Sequence, residues 1–139
     1  SAFDKMKTFK PISQENPMGC GIACTASLLG LNYKKTSNLF NKKYASTRGY
    51  YLKDIISALK KKGINYRGSK VNSKNKKYID ITGSVVFIKR SKKYPAGHYL
   101  LKTEKGWMNP WINYPKINPA KAGFMKNLPG KAQWILCKF

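Results

Sequence analysis

From Cys20 to about residue 31, small and apolar residues recur with helical spacing: Ile22, Ala23, Ala26, Leu28 and Leu29 fall on several faces at once. That pattern predicts a central, buried helix, which Gly30 or Asn32 can end. Ahead of it, residues 3–17 read as an irregular lead-in, because Pro11 and Pro17 hold the backbone out of regular helix. A second helix is expected from Thr36 or Ser37 to Tyr44, with hydroxyl oxygens to cap its start and Leu39 and Phe40 on its buried side. A third, over 52–62, places Ile55, Ile56 and Leu59 on one face and lysines on the other, with Gly63 just past its end.

Beyond Gly63 the period changes from helical to extended. Stretches 66–71, 84–90, 98–103, 107–111 and 133–139 are rich in β-branched and aromatic residues and read as strands. Polar, basic connections at 70–77 and 89–93 separate some of them. Helices first and a mostly antiparallel sheet afterwards define an α+β domain. Its 139 residues fit one unit, with a helical half over about 3–63 and a sheet half over about 64–139.

Charge adds a second theme. Lys and Arg total 28 against 5 acidic residues, a formal charge of +23. Compositional bias toward Lys would enrich Glu as well, so bias alone does not explain the imbalance. A field this positive steers the domain toward polyanions: nucleic acid, an acidic membrane surface or an acidic protein. No apolar run approaches the length of about 20 residues that spans a bilayer, so no transmembrane segment is expected. The chain starts Ser1-Ala2 without Met, the start expected of a domain released or delivered from a larger secreted protein and acting in the cytosol of a target cell. Cys20, Cys24 and Cys137 are too few for a disulfide framework, and with one His in the chain they offer no metal-ligand set. Neither a metal nor a cofactor is expected.

The candidate chemistry gathers around Cys20. A thiol at a helix N-terminus is favoured as thiolate by the helix dipole and free N–H groups, and Gly19 and Gly21 leave room for a reacting carbonyl beside it. His98, at the start of a predicted strand, is the base available to form a thiolate–imidazolium pair. If strands 98–103 and 107–111 pair around Glu104-Lys105-Gly106, Asn109 comes close to His98 and can orient it. Its simpler reading is an Asn that starts a turn before Pro110. Gln14, six residues before Cys20, can add an amide donor to the backbone N–H of Cys20 in an oxyanion hole. Cys24 reads as core, and Trp107, Trp111 and Trp134 as core or cleft wall, with base stacking as the alternative.

The run Gln14-Glu15-Asn16-Pro17-Met18-Gly19-Cys20-Gly21-Ile22-Ala23-Cys24, then Ala26-Ser27-Leu28-Leu29-Gly30, resembles the papain-like cysteine peptidases that process the double-glycine leaders of bacteriocins. The resemblance implies a papain-like fold, with Cys20 as nucleophile, His98 as base and Gln14 at the oxyanion hole. Residues 49–63 are similar to the family's third helix. Two positions depart from the pattern: the family usually has an acidic residue before the Cys, here Gly19, and Asp-Pro where this chain has Asn109-Pro110. Asn in the orienting role matches papain itself.

Three functions follow as expectations. The first is a thiol-dependent amide hydrolase, peptidase or deamidase, in a bacterial toxin or effector, acting on a peptide or protein and neutralised in its producer by an acidic immunity protein. The second is a nuclease toxin on the same fold that cleaves RNA such as tRNA. The third is a catalytically silent binding module.

Overall fold

A computed structural model describes residues 8–138. The predicted lead-in at 3–7 and the strand end at Phe139 lie outside the described residues. Helix α1 (Cys20–Leu29) is buried from Gly21 to Leu28, as its all-round apolar pattern requires, and Gly30 closes it in the left-handed region at φ 70°. Ser27 Oγ donates to the Lys10 carbonyl at 2.6 Å, tying the lead-in along this helix.

The expected helix from 36 or 37 to 44 is replaced by two shorter pieces. Helix α2 is Tyr33–Ser37, and a 3-10 turn follows at Lys42–Ser46. Asparagines do the capping: Asn32 Oδ1 accepts from Lys35 N at 2.7 Å and Asn41 Oδ1 from Lys43 N at 3.3 Å. Thr36, read from sequence as a cap, instead sits inside the helix, its hydroxyl donating to the Asn32 carbonyl at 2.9 Å. Helix α3 (Leu52–Lys60) buries Ile55, Ala58 and Leu59 and stops two residues short of the expected end. Gly63 follows at φ 77°.

Six strands form one sheet: β1 (Arg67–Lys70), β2 (Val85–Ile88), β3 (His98–Thr103), β4 (Gly106–Asn109), β5 (Gly123–Met125) and β6 (Ala132–Cys137). Their order is β1-β6-β2-β3-β4-β5 with every pair antiparallel. The unbroken apolar run of β2 reflects burial on both faces. Val85 packs toward α1 and α3, while Val86 and Ile88 pack against Tyr94, Trp107 and Ile135 on the far side. The expected strand 107–111 ends at Asn109, since Pro110 has no N–H to offer a ladder. Strand β5 escaped the sequence reading because three half-buried residues carry no alternation.

Candidate active site

The packing of α1 against the sheet puts three sequence features at element ends. Cys20 is the first residue of α1, His98 the first of β3 and Asn109 the last of β4. Cys20 and His98 line one cleft of about 760 Å³, walled by Tyr50, Tyr94, Trp111 and Trp134.

The β3–β4 hairpin brings His98 Nε2 to 2.7 Å from Asn109 Oδ1. Asn109 is fully buried and its orientation is fixed from both ends. Its Oδ1 also accepts the Trp111 N–H at 2.9 Å, while its Nδ2 donates to Tyr94 Oη at 3.2 Å and to Met125 Sδ at 3.3 Å. With the amide so held, Oδ1 can only accept, which makes Nε2 the protonated ring nitrogen of His98. Nδ1 is left as the basic atom.

Burial dominates the electrostatics. It lowers the His98 pKa to about 4, against a smaller opposing contribution from the Asn109 hydrogen bond. It raises the Cys20 thiol to about 11, although the backbone N–H groups of Tyr99, Gly21 and Cys20 favour the thiolate. Each group is therefore pushed toward its neutral form. A proton passing from Sγ to Nδ1 creates both charges together, and their mutual attraction offsets the desolvation that disfavours each alone.

The two glycines beside Cys20 have reasons other than an open approach for substrate. Both are buried and neither lines the cleft. A Cβ on Gly19 would collide with Tyr33 Oη, which donates to Asn16 Oδ1 at 2.8 Å, and one on Gly21 would press on Ile55 Cδ1 and touch Tyr50 and Tyr99. Gln14 differs from expectation as well. It is buried beneath the loop before Cys20, and its Nε2 donates to the carbonyls of Asn16 at 2.9 Å and Pro17 at 3.1 Å. Its backbone N–H reaches the Pro110 carbonyl at 3.2 Å. In this arrangement Gln14 shapes the 14–19 loop and anchors it to the end of β4, with Oε1 buried and unpartnered. The donors facing the thiol are backbone N–H groups.

Tyr94 is the residue that sequence reasoning missed. Its ring stacks on the His98 imidazole at 4.7 Å and 9° between planes, and its hydroxyl receives the Asn109 amide. The available signal was an aromatic, four residues before His98, next to the otherwise polar and basic stretch 89–93. Tyr94→Phe keeps the stack and loses one hydrogen bond, so a several-fold fall in kcat is expected. Tyr94→Leu also uncovers the imidazole. Less desolvation raises the His98 pKa, so the acid limb of the pH–rate profile moves up from about 4 toward 6.5, a shift that loss of stability alone would not produce.

Two similarities relate this chain to known proteins. A family model described as the Peptidase C39 family matches residues 8–126. Among solved structures, the peptidase domain of Streptococcus ComA, a bifunctional ABC transporter involved in a quorum-sensing pathway, superposes with a TM-score of 0.56. The alignment has 20% identity and covers 93% of this chain and 96% of that one, a likeness of fold. No curated protein matches the chain.

Proposed function

Because the chain belongs to the peptidase C39 family and is thus a papain-like cysteine peptidase, we propose that Cys20, His98 and Asn109 are its catalytic triad. The observation that carries this is the 2.7 Å bond between His98 Nε2 and Asn109 Oδ1, made at the wall of the cleft that Cys20 also lines.

Cys20 Sγ attacks a peptide carbonyl while His98 Nδ1 takes the thiol proton. The carbonyl oxygen becomes an oxyanion, met by backbone N–H groups at the start of α1. Collapse breaks the C–N bond, His98 returns its proton to the leaving amine, and a thioester remains on Cys20. Water then attacks the thioester, its proton going to Nδ1, and thiol and carboxylic acid are released. The apolar and aromatic cleft wall supports a peptide as occupant, and the family supports cleavage after a double-glycine leader.

The +23 charge supports a setting as an antibacterial toxin or effector domain, paired in its producer with an acidic immunity protein. One observation favours a second reading, RNA cleavage: Trp134, 36% exposed, lines the same cleft as Lys89 and Arg90, where a base could stack.

A peptidyl halomethyl ketone ending in Gly-Gly tests the first reading. The expected result, read by peptide mass mapping, is one adduct on Cys20 that His98→Ala slows strongly. An adduct confined to Cys24 or Cys137, or a Cys20 that stays unlabelled, would count against the triad.

A further inference from the structure

The connection from β4 to β5 exposes apolar side chains on a loop whose backbone is otherwise tightly bonded. The Ile112 N–H donates to the Lys121 carbonyl at 2.7 Å and the Lys116 N–H to the Asn113 carbonyl at 3.0 Å. Asn113 closes the neck, its Oδ1 accepting from the Lys121 N–H at 2.7 Å and its Nδ2 donating to the Pro119 carbonyl at 3.1 Å. Trp111 Nε1 donates to the Lys116 carbonyl at 2.6 Å and so fastens the loop to the cleft wall. On this frame stand Ile112, 39% exposed, and Ile117, 63% exposed. Each is the next residue after one partner of the Trp111–Lys116 bond, which keeps both on one compact loop.

Neither isoleucine is engaged by the core or by the cleft. Among the described residues both lie outside the hydrophobic clusters, and neither lines the cavity of Cys20. Their surroundings are cationic. Lys116 and Lys121 are exposed on the same loop, and over 105–138 the chain carries Lys105, Lys116, Lys121, Lys126, Lys131 and Lys138 and no acidic residue. A nucleic acid would use those lysines and leave the isoleucines in water. Two side chains also make too small an apolar centre for a protein interface of the standard size, about 1,600 Å². The boundary between headgroups and hydrocarbon in an anionic bilayer uses both features at once.

We propose that this loop docks the domain on an anionic bilayer surface, with Ile112 and Ile117 entering the edge of the hydrocarbon and Lys116 and Lys121 meeting lipid phosphates. Two other residues of the loop, Trp111 and Tyr114, line the cleft, so docking holds the cleft beside the lipid. The attachment is independent of the reaction at Cys20, and a catalytically dead protein docks equally well.

Sedimentation of the whole chain with vesicles of phosphatidylcholine, alone or mixed with phosphatidylglycerol, tests this at physiological salt. Binding to the mixed vesicles is expected to be at least about tenfold tighter than to the neutral ones. Ile112→Ser/Ile117→Ser keeps every charge and weakens binding to the mixed vesicles by about tenfold or more. Ile117→Ser alone, which leaves Ile112 lying over Gly123, moves it in the same direction. Ile81→Ser removes an isoleucine that is 50% exposed beside Asp80 and leaves binding unchanged. Lys116→Glu/Lys121→Glu weakens binding by about tenfold, and Lys34→Glu/Lys35→Glu, an equal change in net charge placed on α2, by less than about threefold. Undiminished binding in Ile112→Ser/Ile117→Ser, or equal losses from the two lysine pairs, reduces the attachment to general charge and overturns the proposal. Failure to bind any vesicle overturns it too. So does an RNA oligonucleotide, or a dimer of this chain in gel filtration, whose binding is the one that Ile112→Ser/Ile117→Ser abolishes.

Discussion

Cys20→Ala is expected to lower kcat/KM on a cleavable peptide by at least about 10⁴-fold, since removing the nucleophile of an acyl-transfer site leaves only binding and oxyanion stabilisation. Stability should hardly change. Cys20 lines the cleft, so loss of Sγ widens that open cleft and leaves no sealed cavity in the core. Cys24 provides the internal control: it sits one turn further along the same helix, fully buried in the core with Leu28, Ile55 and Leu59. Cys24→Ala should cost about 1 kcal/mol of stability through the lost packing and leave the reaction intact. Turnover on a quenched peptide, read beside thermal unfolding of both variants, separates the two roles. Full activity in Cys20→Ala would end the thiol mechanism. Cys20→Ser should be nearly as inactive as Cys20→Ala, because an imidazole held near pKa 4 is a weak base for a hydroxyl.

The parts of this site that were legible in the sequence are those fixed by chain-local rules. A small-residue helix begins at Cys20, a strand begins at His98, and a tight connection at Glu104-Lys105 folds β4 back so that Asn109 returns toward His98. Each depends on periodicity and a turn, which a sequence displays. What it did not display are the contacts made across the fold. Tyr94 stacks on His98 from a loop, and Met125 reaches Asn109 from β5, a strand three residues long. Gln14 spends its amide protons on its own loop, so its position six residues before Cys20 says where it is and not what it donates to. Gly19 makes the point most directly. Where the family usually has an acidic residue, Tyr33 Oη occupies the space any side chain would need. Tyr33 is 17 residues away from Asn16, to which that hydroxyl is bonded, so only the folded chain connects the two.

Asn109 decides whether this is an oriented triad or a Cys–His pair beside an ordinary turn, and three substitutions separate those readings. Asn109→Ala leaves the His98 Nε2–H buried without an acceptor and frees the ring to adopt the other tautomer, which protonates the atom the thiol needs. A fall in kcat of about 10²- to 10³-fold is expected. Asn109→Ser keeps an oxygen that can receive the Trp111 N–H and so preserves the turn, yet it is too short to reach the imidazole. If the turn were the whole role, this variant would match the wild type; the triad predicts a loss close to that of Asn109→Ala. Asn109→Asp restores the acceptor and adds a charge. A carboxylate against the imidazole favours the imidazolium, so the His98 pKa rises from about 4 and the acid limb of kcat moves to higher pH. The gain in acceptor strength is opposed by two losses, since Tyr94 Oη must turn to donate and Met125 Sδ then faces an oxygen in place of an N–H. Activity at neutral pH should therefore return to within about tenfold of wild type, with the displaced limb as the signature that the carboxylate acts through His98.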